Sequence, residues 1–117
     1  MIITEHHGGI SLYKENKSFI VKTTISVRTF DSFELHDITF MKIDVENHEN
    51  EVLQGAKETI LRCRPIILLE NNNHFFPHIF PNPEPHKAVL EEFRYIKSQS
   101  NLCNSGMDLW IPKPLVQ

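Results

Sequence analysis

At 117 residues the chain can hold one domain, and 40% apolar residues can bury one modest core. A net charge of -3 argues against a general nucleic-acid binder, which needs a basic face. No apolar run approaches the roughly 20 residues of a membrane-spanning helix, and MIITEHHGG at the start lacks the basic flank and apolar stretch of a signal peptide.

In chain order, Gly8-Gly9 marks a turn and residues 10–14 a short strand. After a polar turn at Glu15-Asn16-Lys17, residues 18–29 read as a long strand. It is dense in Ile20, Val21, Thr23, Thr24, Ile25 and Val27, which suit a pleated surface. The two strands predict an antiparallel hairpin. Asp31 or Ser32 can cap a helical turn over residues 33–35. Residues 39–45 form the next strand, and Asn47 is a good N-cap. Glu49 and Glu51 then occupy a first helical turn, where the helix dipole favours acids. Val52, Leu53, Ala56, Ile60 and Cys63 recur at helical spacing, predicting one helix over residues 48–63 with one apolar face. Pro65 stops it.

Residues 66–69 are four apolar residues in a row, the pattern of a strand covered on both faces. The loop over residues 71–85 holds four of the seven prolines, so regular structure is not expected there. Phe75, Phe76, Ile79 and Phe80 suggest that it packs down as a lid. Pro85 opens a further helix whose Val89, Leu90 and Phe93 share a face. Residues 95–100 and 107–111 read as a terminal hairpin around Asn104-Ser105-Gly106. Cys63 and Cys103 lack a paired spacing; Cys63 reads as a small buried thiol and the compartment as reducing.

The chemistry gathers in residues 40–70, FMKIDVENHENEVLQGAKETILRCRPIILLE. A strand runs into Asp44 and Glu46, a helix follows, and a second strand ends at Glu70. Carboxylates then stand at the carboxyl ends of two parallel strands, where open α/β sheets bind ligands. Strands lie about 4.8 Å apart, so Asp44 and Glu70 can approach one another. Each residue also has a plainer reading. Asp44 can bond the backbone of its turn, Glu46 can be solvated, and Lys42, on the same strand face as Asp44, can be an ion-pair partner. His48-Glu49 begins an HExxH pattern that fails at Val52. His74 and His78 are four apart, but Pro77 spoils a helical pair. No zinc site, GxSxG elbow or Walker loop is present.

The segment resembles the FkbM family of S-adenosylmethionine-dependent methyltransferases. Phe40 to Glu46 is similar to the family's IKIDVE strand, with Asn47 where the family has Gly. Gly55-Ala56, Val27 to Phe33, Arg64 to Glu70 and Trp110-Ile111-Pro112 extend the likeness over roughly residues 20–112. The resemblance implies an α/β fold, the C-terminal portion of a class I methyltransferase (Rossmann-like) sheet with an N-terminal antiparallel hairpin, as one partial domain over residues 1–117. It implies Asp44, Glu46 and Lys42 as catalytic, Asp44 and Asn47 against the cofactor, and Glu70, Asn71 and His74 against the acceptor. The cofactor would be S-adenosyl-L-methionine, with a small-molecule or glycan hydroxyl as acceptor. Magnesium rests on fold analogy alone, and no metal ligands are assigned. The chain holds no glycine-rich cofactor loop. The expectation is therefore a truncated or split cytoplasmic enzyme, inactive alone, that pairs with itself or with a complementary N-terminal chain. The alternative is a non-catalytic binding or assembly module.

Overall fold

The computed structural model describes residues 23–98 and 106–115. Four strands form one mixed sheet: β1 (Phe40–Ile43), β2 (Ile66–Glu70), β3 (Tyr95–Lys97) and β4 (Met107–Pro112). Their spatial order is β1-β2-β4-β3. β1 and β2 are parallel with Ile43 opposite Leu69, and β4 runs antiparallel to both β2 and β3. Between β1 and β2 lie α1 (Glu49–Gly55) and α2 (Lys57–Cys63); α3 (Lys87–Glu92) precedes β3. The parallel connection that residues 40–70 predict is thus present, and so are the two strands of the terminal hairpin. Asn104 and Ser105 of its turn lie outside the described residues, which resume at Gly106.

The core lies on one face of the sheet. Met41, Ile43, Ile67, Leu69 and Trp110 meet Val52, Leu53, Ala56, Ile60, Leu90 and Phe93, with Val45 half-buried at the margin. Burying a Leu or Ile side chain stabilises by about 1.5–3 kcal/mol, so these residues dominate the fold's stability. The opposite face corrects the expectation of a strand covered on both sides. Phe40 is 53% exposed, Ile66 38% and Ile96 54%, because the α-helices of the described residues pack on the other face.

Three local expectations also change. First, the helix over residues 48–63 is two, hinged at Ala56. The second has a cap from far away in sequence: the Asp31 carboxylate accepts from the amides of Glu58 (3.0 Å) and Thr59 (2.8 Å) and from the Thr59 hydroxyl (2.8 Å). Asp31 therefore does not cap residues 33–35. The short turn is a 3-10 helix at Phe30–Phe33, capped by Thr29. Second, residues 23–29 form no strand and are exposed. Arg28 instead bonds Ser32 and stacks on the Phe33 ring at 4.0 Å. The rest of the expected N-terminal hairpin lies outside the described residues. Third, the loop over residues 71–85 does not pack down through its apolar residues. Phe75, Phe76 and Ile79 are about half exposed or more. Polar groups anchor it: the buried Asn71 amide donates to Pro83 O and to Asp108 Oδ2, each at 3.0 Å. Cys63 is a half-buried free thiol.

Arg64 ends α2 in the left-handed region, at φ 54°. Its guanidinium donates to the carbonyls of Phe93, Arg94 and Lys113, and lies 4.8 Å from the Tyr95 ring centroid. One side chain thus ties the helix–strand junction to the terminal hairpin.

Candidate functional site

Register brings the acids together. Since Ile43 stands opposite Leu69, the next residue of each strand, Asp44 and Glu70, lies at the same carboxyl edge. Asp44, Glu46 and Glu70 each offer a carboxylate oxygen, all within 4.8 Å of one another. The chain reverses immediately after Asp44. His48 N donates to Val45 O at 3.3 Å, with Glu46 at φ 55° and Asn47 at φ 76°. Left-handed backbone costs an ordinary L-residue about 1–2 kcal/mol and Asn less. Asn47 therefore supplies turn geometry; His48, making no side-chain capping hydrogen bond, is the N-cap of α1 in its place.

Glu70 is the electrostatic centre. Its carboxyl is pushed up to about 7, chiefly by its hydrogen bond with Asp44, then by burial and the Asp44 charge, with a smaller push from Glu49. Asn72 Nδ2 donates to Glu70 Oε2 at 2.8 Å and opposes the rise. A carboxyl poised near neutrality can both accept and return a proton. Three carboxylate oxygens could also hold a hard cation, although exposed acids cluster this way without one.

Beside the acids lies a cleft of about 260 Å³, bordered by Asn47, Glu49, Glu70, Asn72, Phe80 and His86 among others. Glu49 and His86 are both buried, and sequence reasoning missed both as site residues. Glu49 is 2% exposed and accepts from Val45 N at 3.1 Å, bracing the turn that carries Glu46. His86 Nδ1 lies 3.1 Å from Asn50 Oδ1. Burial lowers the His86 pKa against the pull of Glu49, favouring the neutral ring. Neither had a local signal: one reads as an ordinary helix-start acid, the other as a loop histidine.

The remaining expected residues are more dispersed. Asn71 borders the cleft, but its side chain is occupied in holding the loop, its Oδ1 accepting from Asn73 N at 3.1 Å. His74 is exposed, its ring 4.1 Å from that of Phe75, and does not border the cleft. Lys42 is exposed on β1, two residues before Asp44. Gly106, at φ 84°, lies against Asn72, and a Cβ there would collide with the Asn72 Oδ1. The glycine therefore preserves the placement of the side chain that bonds Glu70.

A family model, the methyltransferase FkbM domain, matches residues 2–98. The chain belongs to the FkbM methyltransferase family. The match takes in the acids at 44, 46 and 70 and the Asp31 cap. It starts further toward the N-terminus than the likeness read from motifs, and ends before Trp110-Ile111-Pro112. No curated protein and no solved structure matches the chain. Among the described residues, no FkbM-domain helix is long and apolar enough to cross a membrane.

Proposed function

We propose that the chain is part of an S-adenosylmethionine-dependent O-methyltransferase, and that the carboxyl edge of β1 and β2 is its reaction site. The observation that carries this is the Asp44–Glu70 carboxyl pair at that edge, in a chain of the FkbM family. The acidic donor set suits a positively charged sulfonium compound, which when bound supplies an activated methyl group. Asp44 and the Asn47 turn face that ligand, while Glu70 faces the acceptor hydroxyl. Glu70, unprotonated and held by the Asn72 amide, takes the hydroxyl proton, which it then shares with Asp44. Glu46, raised on its strained turn, adds negative charge. Lys42 on the open face is a further acceptor contact.

The strand order, with a parallel β1–β2 pair and an antiparallel β4, supports reading the sheet as the C-terminal portion of a class I methyltransferase. In that architecture β1 takes another strand on its free side. With no glycine-rich loop in these 117 residues, the chain alone binds the cofactor weakly and needs a complement for turnover. A cytoplasmic location goes with the same reading, since a reducing compartment keeps Cys63 a free thiol.

Amide chemical shifts under titration with S-adenosylmethionine test this. Millimolar ligand should move residues 44–48 and 70–72 and leave β3 unmoved. No movement at the acidic edge would remove the reading; micromolar affinity would remove the claim of an incomplete site. The second reading, a non-catalytic assembly module, draws on the open sheet face with Phe40, Ile66 and Ile96 exposed. An unresponsive acidic edge would favour it.

A further inference from the structure

The cleft beside the acids has a composition of its own. It holds about 260 Å³, and five asparagines and three carboxylates border it. Among the described residues no lysine or arginine does. Asn71 spends both amide hydrogens within the protein, on Pro83 O and Asp108 Oδ2. Three others spend one. Nδ2 of Asn50 donates to Pro85 O at 3.0 Å, that of Asn72 to Glu70 Oε2 at 2.8 Å, and that of Asn73 to Asn82 O at 2.8 Å. An amide nitrogen carries two hydrogens, so among the described residues each of the three is held in place with one donor uncommitted. All three are half-buried, as is Phe80 in the same wall.

That set of groups selects among alcohols. A phosphorylated or carboxylated acceptor would bring negative charge against three acids with no cation to offset it. An apolar alcohol would cover the amide donors without bonding them, and a site built to bond hydroxyls discriminates strongly against analogues that lack them. A neutral hydroxyl accepts from an amide N–H and donates to a carboxylate at once. Several hydroxyls on one ring engage several of these groups, while the C–H face of that ring rests on the electron-rich face of Phe80. The cleft is smaller than the roughly 300–1,000 Å³ of drug-sized ligand pockets, which suits a single ring. Amides already locked by the protein lose little freedom on binding. We propose that the acceptor is a neutral polyhydroxylated ring, a sugar unit, seated with one hydroxyl toward Glu70 and its other hydroxyls on the amides of Asn50, Asn72 and Asn73. This assignment rests on the reading of the acidic edge as a methyl-transfer site, and gives the class of alcohol that site takes.

Side-chain amide shifts of the 117-residue chain test it, with the methyl glycosides of glucose, galactose, mannose and fucose as probes, each with and without S-adenosylmethionine. At least one glycoside at millimolar concentration should move the amide signals of Asn50, Asn72 and Asn73. Cyclohexanol, which has a single hydroxyl, and glucose phosphate, which adds charge, should each bind at least about tenfold more weakly. Phe80→Ala should weaken the glycoside by roughly tenfold and leave the cofactor-induced shifts at residues 44–48 in place, whereas Phe80→Tyr, which keeps the ring, should retain it. Silence of the three amides toward every glycoside, or equal binding of cyclohexanol or the phosphate, overturns the sugar assignment. A response of residues 44–48 to S-adenosylmethionine in that same chain shows that the methyl-transfer reading survives the loss. Glycoside shifts in a chain that never responds to S-adenosylmethionine would leave a sugar site without a methyl donor, and overturn the acceptor role. Undiminished binding by Phe80→Ala would overturn the seat against that ring.

Discussion

Asp31 shows how much one side chain can carry. It is half-buried, yet three donors on α2 converge on its carboxylate. Burial raises its pKa, but the Thr59 and Glu58 amides, the Thr59 hydroxyl and the Arg62 charge outweigh this and hold it below the ordinary carboxylate range. Asp31→Ala should cost about 2 kcal/mol, the upper end of helix-cap effects, measured by urea unfolding. A neutral result would mean that water replaces the cap. Because the folded pKa is depressed, this stabilisation is present above the unfolded pKa and is lost as pH falls through the folded one. Glu70 has the opposite sign. Its folded pKa lies near 7 against an ordinary 4.5. Between those values the folded state binds more protons, so the Glu70 contribution to stability declines as pH rises. His86, lowered by burial, works against this decline. The contribution of Glu70 is therefore isolated by subtraction: stability of the native chain minus that of Glu70→Gln should fall from pH 4.5 to 7. A flat difference would show that Asp44 and Glu70 do not share a proton.

At the scale of elements, the sequence was informative wherever contacts were local or periodic. The run from Phe40 to Glu70 gave the parallel pair, its helical connection and the acids at its edge, because alternation, helical spacing and Pro65 are written in neighbouring residues. The hinge at Ala56 was not legible, since the group that caps α2 sits 27 residues before Glu58. Nor was the loop's attachment. Its phenylalanines suggest a packed lid, whereas polar groups do the anchoring, among them the buried Asn71 amide and the Asn50 amide, which donates to Pro85 O. Glu49 and His86 were missed for the same reason: both are buried by elements distant in sequence. Leu53 tests the helix–sheet packing that was read correctly. It is 0% exposed between α1 and the sheet. Leu53→Ala should cost about 2–5 kcal/mol in chemical denaturation. A near-neutral outcome would show that α1 does not rest on β1 and β2.

For the whole molecule, the question is whether the parts unfold together. One cluster of buried side chains joins both sides of the sheet's order, from Met41 on β1 to Tyr95 on β3 and Trp110 on β4. Arg64 adds a second tie by bonding three carbonyls at the end of the terminal hairpin, and the Tyr95 hydroxyl donates to Pro65 O at 2.6 Å. Trp110, the only tryptophan and 3% exposed, reports on the hairpin side by fluorescence. Far-ultraviolet circular dichroism is weighted toward the helices. If the core is continuous, both probes should give one denaturant midpoint, the mark of a cooperative domain. Arg64→Ala should lower that midpoint, since it removes charge-assisted bonds of about 1.5–3 kcal/mol each and leaves the Phe93 and Lys113 carbonyls without their Arg64 donor, while Arg94 O keeps the Lys113 amide. The two probes should still coincide in the variant, because the apolar cluster remains. A fluorescence change preceding the loss of helix would instead show that β3 and β4 detach first, with Arg64 rather than the core holding the hairpin to the parallel pair.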